Sequence, residues 1–214
     1  MHCAKKADNT DTKINSRTMP YEAKNFDHLV GMEGFSEQLL KDHFTLYQGY
    51  VANFNKLDET LTAMEKVGNF SSPEFAELNR RLGWEFNGMR LHELYFGNLT
   101  KESRVVDAGS ALYAAIVKEF GSYEFWEKDF RSMGALRGIG WVVLYHDAPA
   151  SRLFNVWVNE HDAGHFTGAV PLLVMDVFEH AYIRDYGITR KDYIEKFMAS
   201  IDWASVEGRY SQLS

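Results

Sequence analysis

Two side chains that often bind metal ions lie four residues apart near the C-terminal end of the chain. Asp176 and His180 follow an apolar run over residues 170–174. A carboxylate together with a neutral imidazole suits first-row transition metals. The same spacing also occurs between ordinary neighbours on a helix surface. The pair alone therefore decides nothing, and any further ligands must come from other parts of the chain.

Histidines on two predicted helices are the next candidates. Of the eight histidines in the chain, His43 and His92 lie among leucines and tyrosines at helical spacing. Taken singly, each is typical of a core histidine. Two antiparallel helices could nevertheless bring both imidazoles together. A buried histidine pair is costly unless something organises it, and a metal ion does so.

Helical periodicity dominates the first hundred residues. Ser36 is the predicted N-cap of a helix whose apolar positions run from Leu39 to Leu61. Residues 72–74, Ser-Pro-Glu, predict the start of a second helix that reaches Phe96. The connection between them is short, so the two helices are predicted to form a long hairpin.

Shorter elements of both types are predicted after residue 100. Asp107 is the predicted cap of a helix over residues 111–120, and an aromatic-rich helix follows over residues 123–133. Helices are also predicted after Thr189 and Asp202. Strands are predicted from β-type apolar runs at residues 140–145, 153–158 and 170–175, the first two as a hairpin.

The predicted fold class is α+β, with a long helical hairpin domain followed by a mixed α/β domain that contains a small antiparallel sheet. The predicted boundaries are a flexible tail over residues 1–20, the hairpin domain over 21–100, and a metal-binding domain over 101–214. The tail lacks the apolar segment of a secretory signal.

Composition disfavours several classes of function. A net charge of −7 argues against nucleic acid as a partner. No apolar run approaches the ~20 residues of a membrane span, so no membrane association is predicted. The single cysteine, Cys3, excludes an internal disulfide framework. A cytoplasmic location is predicted, with an organelle reached through the N-terminal extension left open.

Several segments in order resemble the iron/manganese superoxide dismutase family. Residues 176–182, DVFEHAY, are close to the family signature DVWEHAY. Residues 43–55 resemble its first ligand helix, and residues 92–96 resemble its second ligand segment. Gly140-Trp141 matches the start of its β region. The resemblance extends over roughly residues 36–205 and implies the same fold class as the periodicity.

The resemblance implies a superoxide dismutase with one iron or manganese ion per subunit and solvent as a fifth ligand. The implied metal ligands are His43, His92, Asp176 and His180. Tyr50 would be the gateway tyrosine beside the substrate channel, and Trp141 would form a wall of the metal pocket. Iron-type enzymes supply a glutamine where this chain has Gly88. His161 lies where manganese-type enzymes supply it, and is the predicted partner of the metal-bound solvent.

Departures from the family pattern concern access and assembly. Leu46 and Tyr47 stand where the family often has a histidine before the gateway tyrosine. Ile183 replaces the tyrosine that usually bonds the partner's histidine. Glu179 remains, and in the family it reaches the other subunit's ligand histidine. A homodimer with Glu179 at its interface is therefore predicted.

Other functions stay open at this point. The first alternative is a metal-binding family member whose remodelled gateway leaves weak or no dismutase activity. The others are a different metalloenzyme, such as a hydrolase, and a structural helical protein with core histidines. Between the metals, iron is favoured because Val174 resembles iron-type enzymes, although Gly88 points to manganese and use of both is possible. His165, near His161, is predicted to be an ordinary surface-loop residue.

Overall fold

The computed structural model describes residues 19–102 and 104–213, so residues 1–18 of the predicted tail lie outside the described residues. Helices α1 (Glu37–Lys66) and α2 (Pro73–Phe96) form the predicted hairpin. Ser36 Oγ accepts a hydrogen bond from Leu39 N, and Ser72 Oγ accepts one from Phe75 N, both at 3.1 Å. These caps start the two helices where the sequence predicted.

The remaining helices largely follow the predicted positions. They are α3 (Ala111–Phe120), α4 (Tyr123–Gly134), α5 (Ile183–Tyr186), α6 (Arg190–Ala199) and α7 (Trp203–Ser211). The predicted cap of α3 is wrong: Ser110 accepts from Tyr113 N, while the Asp107 carboxylate accepts from Gly109 N in the preceding turn. Asp202 caps α7 as predicted, but the Thr189 side chain does not cap α6. The sequence did not predict α5.

Three antiparallel strands form the sheet in the order β2-β1-β3. They are β1 (Gly140–Asp147), β2 (Arg152–Asn159) and β3 (Val170–Asp176). Because β1 runs opposite to both neighbours, its start lies beside the ends of β2 and β3. Trp141 consequently pairs with Val158 on one side and with Asp176 on the other. The register thus places Asp176 beside Trp141, at the edge of the sheet where β2 also ends.

One hydrophobic core joins the helical hairpin to the sheet. It includes Leu39 from α1, Phe96 from α2, Val143 from β1 and Phe197 from α6. The α+β fold class is confirmed, whereas the boundary near residue 100 stays a prediction. No helix within the two described ranges combines the length and apolarity needed to cross a membrane.

Candidate metal centre

Four elements bring the predicted metal ligands together. His43 lies on α1, His92 on α2, Asp176 at the end of β3, and His180 in a 3-10 turn over Glu179–Ala181. One potential ligand atom from each residue lies within 4.8 Å of every other. His43, His92 and Asp176 are buried, and the His180 side chain is 24% exposed. This is the set that the family resemblance implied.

The Asp176–His180 spacing comes from a turn rather than from a helix. Asp176 Oδ1 accepts a hydrogen bond from Phe178 N at 2.8 Å, and Val177 N donates to Gly140 O at 2.9 Å. Phe178 is extended, with φ −68° and ψ 153°. These bonds bend the chain at the end of β3, so that the His180 ring returns to the carboxylate.

The three predicted histidine ligands converge on one oxygen atom of the fourth predicted ligand, Asp176. Asp176 Oδ2 lies 3.2 Å from His43 Nε2, 3.1 Å from His180 Nε2 and 3.7 Å from His92 Nε2. Burial alone would raise the pKa of Asp176, but His180 and His43 hold it well below its usual range. Burial lowers the pKa of both His43 and His92. The site therefore places a buried carboxylate against two buried imidazoles, those of His43 and His92, whose lowered pKa keeps them neutral.

The tautomer of His92 shows that these residues fit a metal cation. Its Nδ1 lies 2.6 Å from the carbonyl oxygen of Gly88, which can only accept, so the hydrogen of the neutral ring is on Nδ1. The lone pair of Nε2 therefore faces Asp176 Oδ2, and this buried nitrogen has no hydrogen-bond donor among the described residues. Two acceptors aimed at each other are unfavourable unless a cation lies between them.

A second group of side chains joins the predicted gateway to the pocket wall. Tyr50 Oη lies 2.7 Å from His161 Nε2, and Trp141 Nε1 donates to His161 Nδ1 at 3.1 Å. The Tyr50 ring also stacks on His92, with centroids 5.2 Å apart. The structure thus links all three predicted non-ligand residues in one hydrogen-bonded chain beside the ligands.

The indole of Trp141 determines which nitrogen of His161 carries hydrogen. An indole N–H can only donate, so His161 Nδ1 accepts and the neutral ring has its single hydrogen on Nε2. That hydrogen is donated to Tyr50 Oη. Burial lowers the pKa of His161 to about 4. The hydrogen of the Tyr50 hydroxyl is thereby left to donate to another group.

Gly88 explains why the ring of Tyr50 can lie against His92. A Cβ atom at position 88 would come within 2.5 Å of the Tyr50 ring. A glutamine at this position, which the resemblance associates with iron-type enzymes, would require the ring to move. The space beside the ligands is instead bounded by Tyr50 and His161.

Trp84 is a site residue that the sequence reasoning missed. The Trp84 ring packs edge-on against the His161 ring, with centroids 4.8 Å apart. Phe178 stacks on the His161 ring, also with centroids 4.8 Å apart. The missed signal was the spacing on α2: Trp84, Gly88 and His92 recur every four residues and share one helix face. Together these rings shield His161 from solvent.

The structure also shows the surroundings of Tyr47 and His165, two residues that the sequence analysis singled out. Tyr47 is buried, donates to Glu93 Oε1 at 3.1 Å and accepts from Lys24 N at 2.9 Å, so its hydroxyl serves a separate polar cluster. His165 is not an ordinary surface residue, because it is half-buried and its Nε2 lies 2.9 Å from the carbonyl oxygen of His161.

The low pKa of His161 predicts that the protein loses stability in mild acid. An unfolded histidine binds a proton near its ordinary pKa of 6.5, whereas the folded ring resists protonation down to about 4. The unfolded state therefore binds more protons in this window, and the free energy of unfolding falls as the pH falls. Through His161 alone, the free energy of unfolding should fall by about 2 kcal/mol between about pH 7.5 and pH 5.

Denaturant unfolding at both pH values, with equal metal loading, tests this expectation. His161→Gln cannot titrate, so its free energy of unfolding should fall by about 2 kcal/mol less than that of the unaltered protein. The ligand histidines are common to both proteins and cancel in the comparison. Equal losses in the two proteins would show that His161 does not titrate as inferred.

Comparisons with known proteins agree with this geometry. A family model described as the C-terminal domain of iron/manganese superoxide dismutases matches residues 108–209. The chain is 38% identical over 195 residues to superoxide dismutase [Mn] 2 of Haloferax volcanii, covering 91% of this chain and 94% of that protein. It is 33% identical over 193 residues to a superoxide dismutase [Fe] of Aquifex pyrophilus, covering 87% and 90%. Similar proteins thus include both manganese and iron enzymes.

Proposed function

The chain belongs to the iron/manganese superoxide dismutase family, and we propose that it dismutates superoxide at a single metal ion. The proposed ligands are His43, His92, Asp176 and His180. The observation that carries this assignment is the lone pair of His92 Nε2, which faces Asp176 Oδ2 at 3.7 Å without a hydrogen between them. A cation held at this point would satisfy both acceptors.

The reaction consumes two superoxide ions and two protons and yields dioxygen and hydrogen peroxide. A bound iron or manganese ion would supply the one-electron oxidation of the first superoxide and the one-electron reduction of the second. The protein must hold the ion, admit a small anion and deliver protons. Asp176 and the three imidazoles perform the first task, with one carboxylate charge among imidazole nitrogens.

Tyr50 is suited to deliver a proton. Burial raises the pKa of its hydroxyl to about 12, so Oη keeps its hydrogen at neutral pH. Because Oη already accepts from His161 Nε2, its own hydrogen can be donated to an oxygen atom of the substrate. Stacking on His92 places this donor directly beside a ligand. Tyr50 is partly exposed, which permits its proton to be replaced from solvent.

Trp141, Phe178 and Trp84 exclude water from the rest of the site. Trp141 is fully buried, packs edge-on against His92 at 4.9 Å, and fixes the His161 ring through its indole N–H. Phe178 stacks on both His161 and His180. These contacts orient the donors before substrate arrives, so little reorganisation is needed during the reaction.

Iron is the metal that we favour. A neutral His161 whose Nδ1 accepts from Trp141 has one N–H to donate, and Tyr50 takes it at 2.7 Å. Few donors then remain to stabilise anionic solvent at the metal. Manganese has the higher intrinsic M³⁺/M²⁺ potential and needs such stabilisation more than iron does. Val174 is consistent with iron, and Gly88 with manganese, so use of both metals is part of the proposal.

Reconstitution with each metal tests the proposed function. The full chain is loaded separately with iron and with manganese, and superoxide turnover is measured per bound metal. Turnover far above that of the free ions supports dismutase activity. Stoichiometric binding of either metal without turnover would instead support the alternative of a metal-binding family member with a remodelled gateway. The predicted cytoplasmic location is a separate proposal, which cell fractionation would test.

We further propose a homodimer in which Glu179 contacts the partner's site. Glu179 is exposed in the single chain. Within the described residues, no acceptor bonds Nδ1 of the partly exposed His180, whereas Nδ1 of His92 is held by Gly88 O. A carboxylate from the partner would supply the missing acceptor and orient the ligand ring.

Replacing Glu179 by alanine is expected to weaken the dimer and to lower metal retention roughly tenfold, because the ligand ring loses its acceptor. Light scattering and metal content after dialysis against a chelator measure the two effects. Glu195→Ala removes an exposed carboxylate on α6 and serves as the control. Light scattering that shows a monomer in the unaltered protein would contradict the proposal.

A further inference from the structure

His165 links the loop that carries His161 to the centre of the sheet. Its Nε2 lies 2.9 Å from His161 O, and its Nδ1 lies 2.8 Å from Tyr145 Oη. A carbonyl oxygen can only accept, so Nε2 of His165 donates to it. In the neutral ring Nδ1 then accepts from the Tyr145 hydroxyl. His165 therefore relays a hydrogen-bonded connection from β1 to the backbone of His161.

The anchor of this connection is a rigid part of the molecule. Tyr145 is buried on the central strand β1, four residues after Trp141 and on the same face of that strand. Phe166 stacks on the Tyr145 ring, with centroids 6.0 Å apart. Trp141 thus holds the His161 ring, and Tyr145 holds the His161 carbonyl through His165. Both attachments lead to one strand.

The loop between β2 and β3 has few other attachments near this point. Asn159 and Ala163 form an isolated bridge, with N···O distances of 2.7 and 3.3 Å, and Glu160 N donates to Ile139 O at 3.3 Å. Glu160 has a positive φ of 49°, which is unfavourable for a residue with a side chain. Residues 162–164 are exposed. Few hydrogen bonds therefore hold the backbone at His161, and the bond from His165 Nε2 to its carbonyl oxygen is one of them.

We propose that His165 is a positioning residue for the reaction. By holding the His161 carbonyl, it keeps the His161 ring at hydrogen-bonding distance from Tyr50 and beside the metal ligands. His165 itself contacts neither the ligands nor the substrate space. The proposal rests on the proposed function for its catalytic consequence, although the placement of the His161 ring can be measured independently of turnover.

Two substitutions at position 165 separate the hydrogen bond from simple packing. His165→Leu fills similar space but cannot donate to His161 O. His165→Gln has an amide nitrogen near the position of Nε2 and can restore that donation. On the metal-loaded full chain, we expect His165→Leu to lower turnover per bound metal roughly tenfold and to shift the visible absorption of the oxidised ion. His165→Gln should recover most of both properties.

A double-substitution cycle tests whether the effect passes through His161. In a His161→Ala background, His165→Leu should change neither the absorption spectrum nor the turnover any further. An undiminished effect in that background would overturn the proposal. So would unchanged spectrum and turnover in His165→Leu with full metal. His28→Leu, which removes an exposed histidine elsewhere, should leave both readouts unchanged.

Two further measurements test the proposal if His165→Leu does not fold or if the unaltered protein shows no turnover. If His165→Leu does not fold, Tyr145→Phe removes the single oxygen atom that bonds His165 Nδ1, and it should by itself shift the spectrum of the metal-loaded protein. No spectral shift in a folded, metal-loaded Tyr145→Phe would then overturn the proposal. If the unaltered metal-loaded protein shows no turnover, the proposed function fails, and the spectral cycle still decides whether His165 positions His161.

Discussion

Replacing Asp176 with asparagine is expected to abolish stoichiometric metal binding and to lower superoxide turnover per chain at least roughly a hundredfold. The carboxylate supplies the only negative charge among the four ligands, and its Oδ2 is the atom on which all three histidines converge. Asparagine has nearly the same shape and its Oδ1 can still accept from Phe178 N. The substitution therefore removes the charge while it keeps the turn that positions His180.

Metal content after dialysis and turnover per chain measure this effect, and thermal unfolding checks that the fold persists. Asp192→Asn is the matched control, because Asp192 is an exposed carboxylate in the first turn of α6. The control should retain full metal and full turnover. An Asp176→Asn protein that kept one equivalent of metal and unaltered activity would disprove the ligand assignment.

Local patterns predicted most of the elements that hold the ligands. The Ser36 and Ser72 side chains cap their helices by accepting hydrogen bonds from residues only three positions further along the chain. Such local contacts can be predicted from the sequence. The prediction failed at Asp107 because Ser110, three residues closer to the helix, competes for the same role. The four proposed ligands could be predicted as a set only because the family resemblance supplied contacts that periodicity cannot give.

The hydrogen bonds around His161 could not be read from the sequence for a physical reason. Its bonds to Tyr50 and Trp141 join residues 111 and 20 positions apart. They depend on how β1 and β2 pair and on where α1 places Tyr50. A shift in register would move every one of these side chains. His165 looked like a surface residue because its partners lie on a strand and in the backbone.

The choice between iron and manganese is expected to depend on His161. As a neutral ring that accepts from Trp141, His161 has a single N–H, and it is directed at Tyr50. A glutamine could accept from Trp141 through Oε1 and donate through two N–H groups, one to Tyr50 and one to solvent at the metal. The additional donor would favour hydroxide over water and so lower the reduction potential of the ion.

His161→Gln should therefore lower the ratio of iron-supported to manganese-supported turnover roughly tenfold, the effect of one hydrogen bond to a charged group. Turnover with manganese should rise because the intrinsic reduction potential of manganese is too high without this lowering. Turnover with iron should fall because the same lowering takes the reduction potential of iron below the range suited to superoxide. Activity is measured for protein loaded with each metal and normalised to bound metal. His165→Gln is the control, since it keeps a donor for His161 O and should leave the ratio unchanged. A ratio that stays constant in His161→Gln but moves in His165→Gln would show that the side chain at position 161 does not set the reduction potential of the ion.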